Sequence, residues 1–528
     1  MKSRQFVAAL LSAVGLSAVA ACSGESSAGG AGPAADTSVL TVASSASVTT
    51  WDPVKSFSTE AMYLGNLYEP LLWKNPAGSA EEYTPAIATG WEVSEDGLTW
   101  TFDIREGVTF HTGETVDAAA VKASLDAARE RAGASFIWAP VEKISTPDEM
   151  TVELQLGYAA PVDLIASSTY GAWIVAPSML EKAEKDEKFF ESGVDGGTGP
   201  YTLASYTAGE KVVLERYEDY WNEERMPTYE TVDIAITSDA VTAQQMLTTG
   251  EVDYSTQVPL ENVSTFESND DYNVKVSKSP FNFLALFNTT RPPLDDPQVR
   301  QALSWAIPYE DIIQVGGQGY GTQAHGPVPD GIFPFSEEVP QYSQDLDKAK
   351  DLLAEAGHAD GFDLTLTYAS ENAAEDRFVP LIKDAFAQIG VDVTVKAQLF
   401  NQQWEEAKAD PAKAQDIFVL YYWPTYSDAG SDNLYSLFHS SDVPFFNLSY
   451  WKNEKYDALI DEAATLTATD RDQAQALYVE AMELLHEEAP GAFLYDAQAV
   501  SVVPSGLETQ EFNENYPFTT FFAGFRPA

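Results

Sequence analysis

Cysteine is almost absent: Cys22 is the only one in 528 residues. With no second thiol, the chain has no internal disulfide, no thiolate metal site and no redox pair. Cationic side chains are scarce as well. Lys and Arg number 30 against 81 Asp and Glu, for a formal net charge of -51. Phosphate binding needs a basic surface, so nucleic acid is excluded as a partner, and anionic lipid headgroups are disfavoured. Such acidity keeps a protein soluble in strong salt or steers cationic solutes toward it. The histidines at 111, 325, 358, 439 and 486 have no ligand spacing, so no resident metal is expected. Beyond residue 21 no run is long and apolar enough to cross a bilayer. There is no Gly-x-Ser-x-Gly elbow, phosphate-binding Gly-x-x-x-x-Gly-Lys or His-Glu-x-x-His. An enzyme is therefore not expected, and no cofactor. Paired carboxylates are too common here to argue for glycoside hydrolysis.

What is present is a globular composition rich in aromatics, with 11 Trp and 25 Tyr. That density suits a large ligand cleft. The length exceeds the usual size of one core, so two or more domains are expected. Lys2 and Arg4 lead into an apolar stretch over 6–21, which reads as a signal peptide. Val19-Ala20-Ala21 before Cys22 resembles the lipobox of bacterial lipoproteins. That resemblance implies cleavage after residue 21, acylation of Cys22 and anchoring to the outer face of the cell membrane. Residues 22–36, rich in Gly, Ser, Ala and Pro, read as a flexible tether.

Residues 39–43 (VLTVA) read as a first strand, and 62–72 as a helix or loop ending in an apolar patch. Over 91–104 the alternation of Trp91, Val93, Leu98, Trp100, Phe102 and Ile104 predicts a hairpin turning at Glu95-Asp96-Gly97. Helices are predicted over 347–356, 378–389, 453–466 and 470–488. Strands are predicted over 362–368, 391–395 and 416–422, the last apolar enough to be buried on both faces. The alternation argues for an α/β domain with a mostly parallel sheet. No fixed-period repeat is present.

Three long segments carry a family resemblance. They are 85–121 (PAIATGWEVSEDGLTWTFDIREGVTFHTGETVDAAAV), 197–222 (GTGPYTLASYTAGEKVVLERYEDYWN) and 283–307, with 347–357 and 447–460 also matching. This ordered set resembles the extracytoplasmic solute-binding proteins, family 5, of peptide and nickel ABC importers. Gly197, Gly199 and Pro200 are expected to form a sharp turn, and Arg105 and Arg300 to hold carbonyls at loops and helix ends. The resemblance implies an α/β, two-lobed, class II periplasmic-binding-protein-like fold with a hinged cleft and an extra subdomain in lobe I. Lobe I takes 37–285 and 495–528, and lobe II takes 286–494. The expected function is capture of a ligand by lobe closure and delivery to membrane permease subunits, by a monomer.

The segment 421–434 (YYWPTYSDAGSDNL) leaves a buried strand and enters an aromatic and acidic loop. In peptide-binding relatives an acid after the tryptophan grips the peptide's amino terminus. Here that position falls on Thr425, Tyr426 or Ser427, with Asp428 close enough to substitute and Asp432 a second candidate. Dipeptide binders place a base in the loop corresponding to 369–376. This loop holds Glu371, Glu375 and Asp376, with no base before Arg377, which either folds back or caps its helix. Trp423, Thr425, Tyr426, Asp428, Tyr63 and Trp51 are the expected ligand contacts. Oligopeptides are favoured over dipeptides. The alternatives are a nickel chelate near His439, a glycan, a cationic small molecule, or a sensing role without transport.

Overall fold

The computed structural model describes residues 37–528 other than 132 and 427. The signal peptide, the tether and Cys22 therefore lie outside the described residues, as does Ser427. Val39–Ser44 pairs in parallel with Thr231–Ile236 and, on its other edge, with Tyr254–Ser255. Lys211–Arg216 and Tyr201–Thr207 complete a five-stranded sheet. A separate four-stranded antiparallel sheet contains the predicted hairpin, Ala88–Val93 with Thr99–Ile104. Gly97, at φ 70°, closes the turn with its N–H on the Ser94 carbonyl at 2.8 Å. Trp91 and Val93 lie opposite Phe102 and Trp100 as the alternation requires. Their strand is at the sheet edge, however, so Val93 is exposed and Trp91 packs only partly, against Tyr83.

The glycines of 197–199 have a different physical reason from the one expected. Neither adopts a left-handed conformation. Instead the backbone lies directly on the end of the helix Ala61–Leu67: a Cβ on Gly197 would stand 1.9 Å from the Leu67 carbonyl oxygen, and one on Gly199 2.6 Å from that of Asn66. Thr198, Tyr220 and Trp221 then donate to the fully buried carboxyl of Glu69 at 2.9, 2.8 and 2.7 Å. The Gly-Thr-Gly and Tyr-Trp motifs are thus two sides of one buried cluster. Arg105 donates to the Ala86 carbonyl at 2.9 Å, and Arg300 to those of Leu294, Glu488 and Ala489 at 2.5–3.1 Å. Both arginines hold backbone, as expected.

Two long strands, Tyr272–Phe287 and Gly491–Pro504, run antiparallel from Tyr272 opposite Pro504 to Leu286 opposite Gly491. At one end Val274 and Val502 pack with Ala43, Ala243 and Leu247. At the other end Phe283, Ala285 and Leu494 belong to a core with Val299, Phe378 and Ile382. The chain therefore passes twice between two hydrophobic bodies. The first contains Leu40, Trp100, Tyr201 and, from the C-terminal return, Tyr516 and Phe522.

Ile417–Tyr422 is buried on both faces: Ile417 and Val419 face one core, Phe418, Leu420 and Tyr422 the other. The six-stranded sheet holding it is mixed, not mostly parallel. Phe362–Ala369 pairs in parallel with both neighbours, whereas Tyr272–Phe287 runs antiparallel to Ile417–Tyr422 and to Gly491–Pro504. The flanking helices start at side-chain caps, Asp345, Asn372, Asn453 and Asp470 accepting first-turn N–H groups, and the helix predicted from 378 begins five residues earlier, at Ala373.

Candidate functional site

A cavity of about 1530 Å³ lies between the two bodies. One side is built on the six-stranded sheet. Phe283 stands opposite Tyr421 on one neighbouring strand and Tyr495 on the other. Cross-strand partners share a face, so the three rings form a row, with centroids 4.8 and 4.6 Å apart. Trp423 extends this row past the strand end, 5.5 Å from Tyr421 and 5.8 Å from Phe281, and is 36 % exposed. The opposite wall comes from the first body, with Phe57, Phe136 and Tyr158 exposed at the cavity.

The charged groups are of one sign, among neutral ones such as Asn372 and Gln498. Asp432 reaches the cavity from a segment that packs back on the strand end. Its carboxyl accepts from the Tyr422 hydroxyl at 2.9 Å and the Thr425 N–H at 2.6 Å. Burial pushes this carboxyl above the usual aspartate range, opposed chiefly by the Thr425 N–H. Glu375, in the first turn of the helix Ala373–Gln388, accepts from the Ala369 N–H at 2.7 Å. Burial pushes it up to about 8, with the nearby charge of Glu371 adding to the effect. Glu371 and Asp461 are the remaining acids of the wall, and among the described residues no Lys, Arg or His lines it.

Arg377 explains part of that absence. It neither enters the cavity nor caps its own helix. It donates to the carbonyls of Val315 and Gly316 at 3.1 and 2.8 Å, and so caps the helix Tyr309–Gly316.

Of the residues singled out from sequence, Trp423, Thr425 and Tyr426 line the cavity. Asp428 does not. It is fully buried behind the wall, accepting from the Gly430 and Ser431 N–H groups and, at 2.6 Å, the Ser431 hydroxyl. That is a loop-capping role. Trp51 and Tyr63 also lie away from the cavity. Both belong to the first body's core, 5.8 Å apart, and Tyr63 donates to the Ala46 carbonyl at 2.7 Å. His439 stacks on Tyr435 and its Nε2 lies 3.2 Å from Asp461. Among the described residues no group of three His, Cys, Asp or Glu side chains is placed to hold a metal. The aromatic row was not picked out from sequence, whereas the acidic loop holding Glu371 and Glu375 was, and both of these acids line the cavity.

Comparison with known proteins agrees with this architecture. Residues 82–445 match the model of bacterial extracellular solute-binding proteins, family 5. The glutathione-binding protein GsiB of Pectobacterium atrosepticum is 30% identical over 423 residues, covering 79% of this chain and 80% of its own. The periplasmic binding protein DppA of Helicobacter pylori, solved with the peptide STSA, superposes with a TM-score of 0.74 at 25% identity, covering 93% of this chain and 98% of its own. The substrate-binding protein CtaP of Listeria monocytogenes superposes with a TM-score of 0.83 at 23% identity, covering 93% and 100%. The chain belongs to the bacterial extracellular solute-binding proteins of family 5, a two-lobed binding protein and not an enzyme.

Proposed function

We propose that this chain is the substrate-binding component of an ABC importer that captures oligopeptides through a free amino terminus and leaves the carboxyl terminus unclamped. The observation that carries the proposal is the one-signed wall: an aromatic cavity with carboxyl side chains and no cation among its described residues. A buried carboxylate of a ligand would find no partner there, and an unpaired buried charge is strongly unfavourable. Dipeptides and glutathione carry carboxylates close to every other group, so they fit poorly, although a relative is named for glutathione. A longer peptide places its carboxylate outside the wall. The volume of about 1530 Å³ also exceeds the usual range of a small-molecule pocket, about 300–1,000 Å³.

In this proposal Trp423, Thr425 and Tyr426 contact the peptide and Asp432 receives its ammonium, since Asp428 is committed to its own loop. A carboxylate has about four acceptor sites, and two donors already reach Asp432. The two crossing strands are the hinge, and the boundaries expected at 285 and 495 move to about 280 and 498, because Phe283, Ala285 and Tyr495 pack in the second body's core. Lipid on Cys22 holds the protein to the outer face of the cell membrane. Replacing Cys22 by Ser should release it from the membrane fraction; retention there would argue against the anchor.

The ligand class is tested by native mass spectrometry of the protein purified without denaturant. A ladder of co-purified peptide masses, lost on mild unfolding, is expected. A single anionic or non-peptide mass would overturn the oligopeptide assignment.

A further inference from the structure

One cation joins the two bodies at the edge of the cavity. Arg471 opens the helix Arg471–Glu488, whose Ala474, Tyr478 and Met482 lie in the second body's core. Its Nη2 is 2.7 and 2.6 Å from the two carboxyl oxygens of Asp163, and its Nη1 is 2.8 Å from Glu82. Both acids belong to the first body, where Val162, Leu164 and Tyr83 are core residues. Lys74, 2.5 Å from Glu82, completes the network. Asp163 is buried and the Arg471 side chain is 26% exposed, so the pair is only partly screened by water. Among the described residues, the only other salt bridge between the lobes is Lys278 with Asp330 at 2.7 Å, made from the crossing strand itself.

The surroundings fix its role. Pro161 and Ile165, on either side of Asp163, line the cavity, as does Thr465 shortly before Arg471. Next to the pair, the turn at Gly97 is packed so closely that a Cβ there would meet Ala159 and Thr469, each at 2.9 Å. Of these, the contact of Gly97 with Thr469 exists only while the bodies are together. Bringing two acidic bodies together is opposed by repulsion, given a net charge of -51. Without the guanidinium, Asp163 and Glu82 would meet at the seam with Lys74 alone.

We propose that Arg471 is an electrostatic latch that holds the two acidic bodies together around the cavity against their mutual repulsion. It touches no cavity-lining role assigned above; it acts on closure, independently of what the ligand is. The guanidinium bridges two carboxylates, Nη2 to Asp163 and Nη1 to Glu82, and charge-assisted hydrogen bonds are stronger than neutral ones. Removing it should lower the closed-to-open ratio about tenfold.

The test is small-angle X-ray scattering of the full chain with no added ligand, from about 0.01 M to about 1 M NaCl, where the Debye length falls from about 30 Å to about 3 Å. The wild type is expected to stay compact throughout, because the partly buried contact pair is screened far less than the long-range repulsion it opposes. Arg471→Gln and Asp163→Asn should each be expanded at low salt, contract toward the wild type as salt screens the repulsion, and add little to each other when combined. Their thermal midpoints should stay near the wild type's, because the latch joins bodies that fold around their own cores. Indistinguishable wild-type and variant scattering at low salt would overturn the proposal. So would failure of both variants to fold, which would make Arg471 a folding residue. No peptide enters the measurement, so its outcome is separate from that of the ligand assignment.

Discussion

Glu375 shows how burial gives a single side chain a measurable signature. Its native value of about 8 stands above the ordinary 4.5 because burial penalises the carboxylate more than the Ala369 N–H relieves it. A raised carboxyl stabilises the fold fully below its unfolded value and loses that contribution as pH rises through the folded value. The wild type should therefore lose stability relative to Glu375→Gln between about pH 4.5 and about pH 8, by a few kcal/mol. Denaturant titrations of both proteins at pH 5 and about pH 9 check this; parallel pH profiles would contradict it. Trp423 offers a complementary case. It is 36 % exposed but packs on Tyr421, Phe281 and Phe518, so Trp423→Ala should cost about 1–2 kcal/mol of stability and weaken peptide binding by about 2 kcal/mol, roughly thirtyfold. Calorimetry and melting of the same variant separate the two effects. At this scale the sequence was legible only in part. Trp423 follows a recognisable buried strand, but Trp51 and Tyr63 look like cleft aromatics until packing shows them against each other and Tyr206.

At the scale of elements, local chemistry carried most of the signal. Helix starts are marked by Asp345, Asn372, Asn453 and Asp470, and strand 417–422 by its unbroken apolar run. Strand direction was not legible, because Tyr272–Phe287 and Gly491–Pro504 pair across more than two hundred residues and nothing local records their sense. The glycine motif was visible in sequence while its cause was not, since the carbonyls of Asn66 and Leu67 come from a distant helix. That cause makes a prediction. Gly199→Ala must push the backbone off the helix end and should cost about 3 kcal/mol, at the upper end for overpacking. Gly506→Ala, where a Cβ would meet nothing within 4 Å, should be nearly neutral. Equal midpoints for the two variants would show that the close approach at Gly199 is relieved elsewhere.

For the whole molecule, the two bodies, the crossing strands and the one-signed cavity form a single device. The aromatic row is fixed by sheet register, and the opposite wall arrives only when the bodies meet, so affinity and closure are coupled. If Arg471 supports closure, Arg471→Gln should weaken peptide binding without altering any ligand contact, and high salt should narrow the gap by screening the repulsion that the variant no longer offsets. Selectivity tests the central claim most directly. Calorimetry would compare one apolar tetrapeptide in three forms (free, N-acetylated and C-amidated) with glutathione. Amidation should change affinity little. Acetylation, which removes the ammonium facing Asp432, should weaken binding by about tenfold to a hundredfold, and glutathione should bind more weakly than the free peptide. Tight glutathione binding, or loss of affinity on amidation with none on acetylation, would contradict the proposed amine-reading, carboxylate-blind cavity.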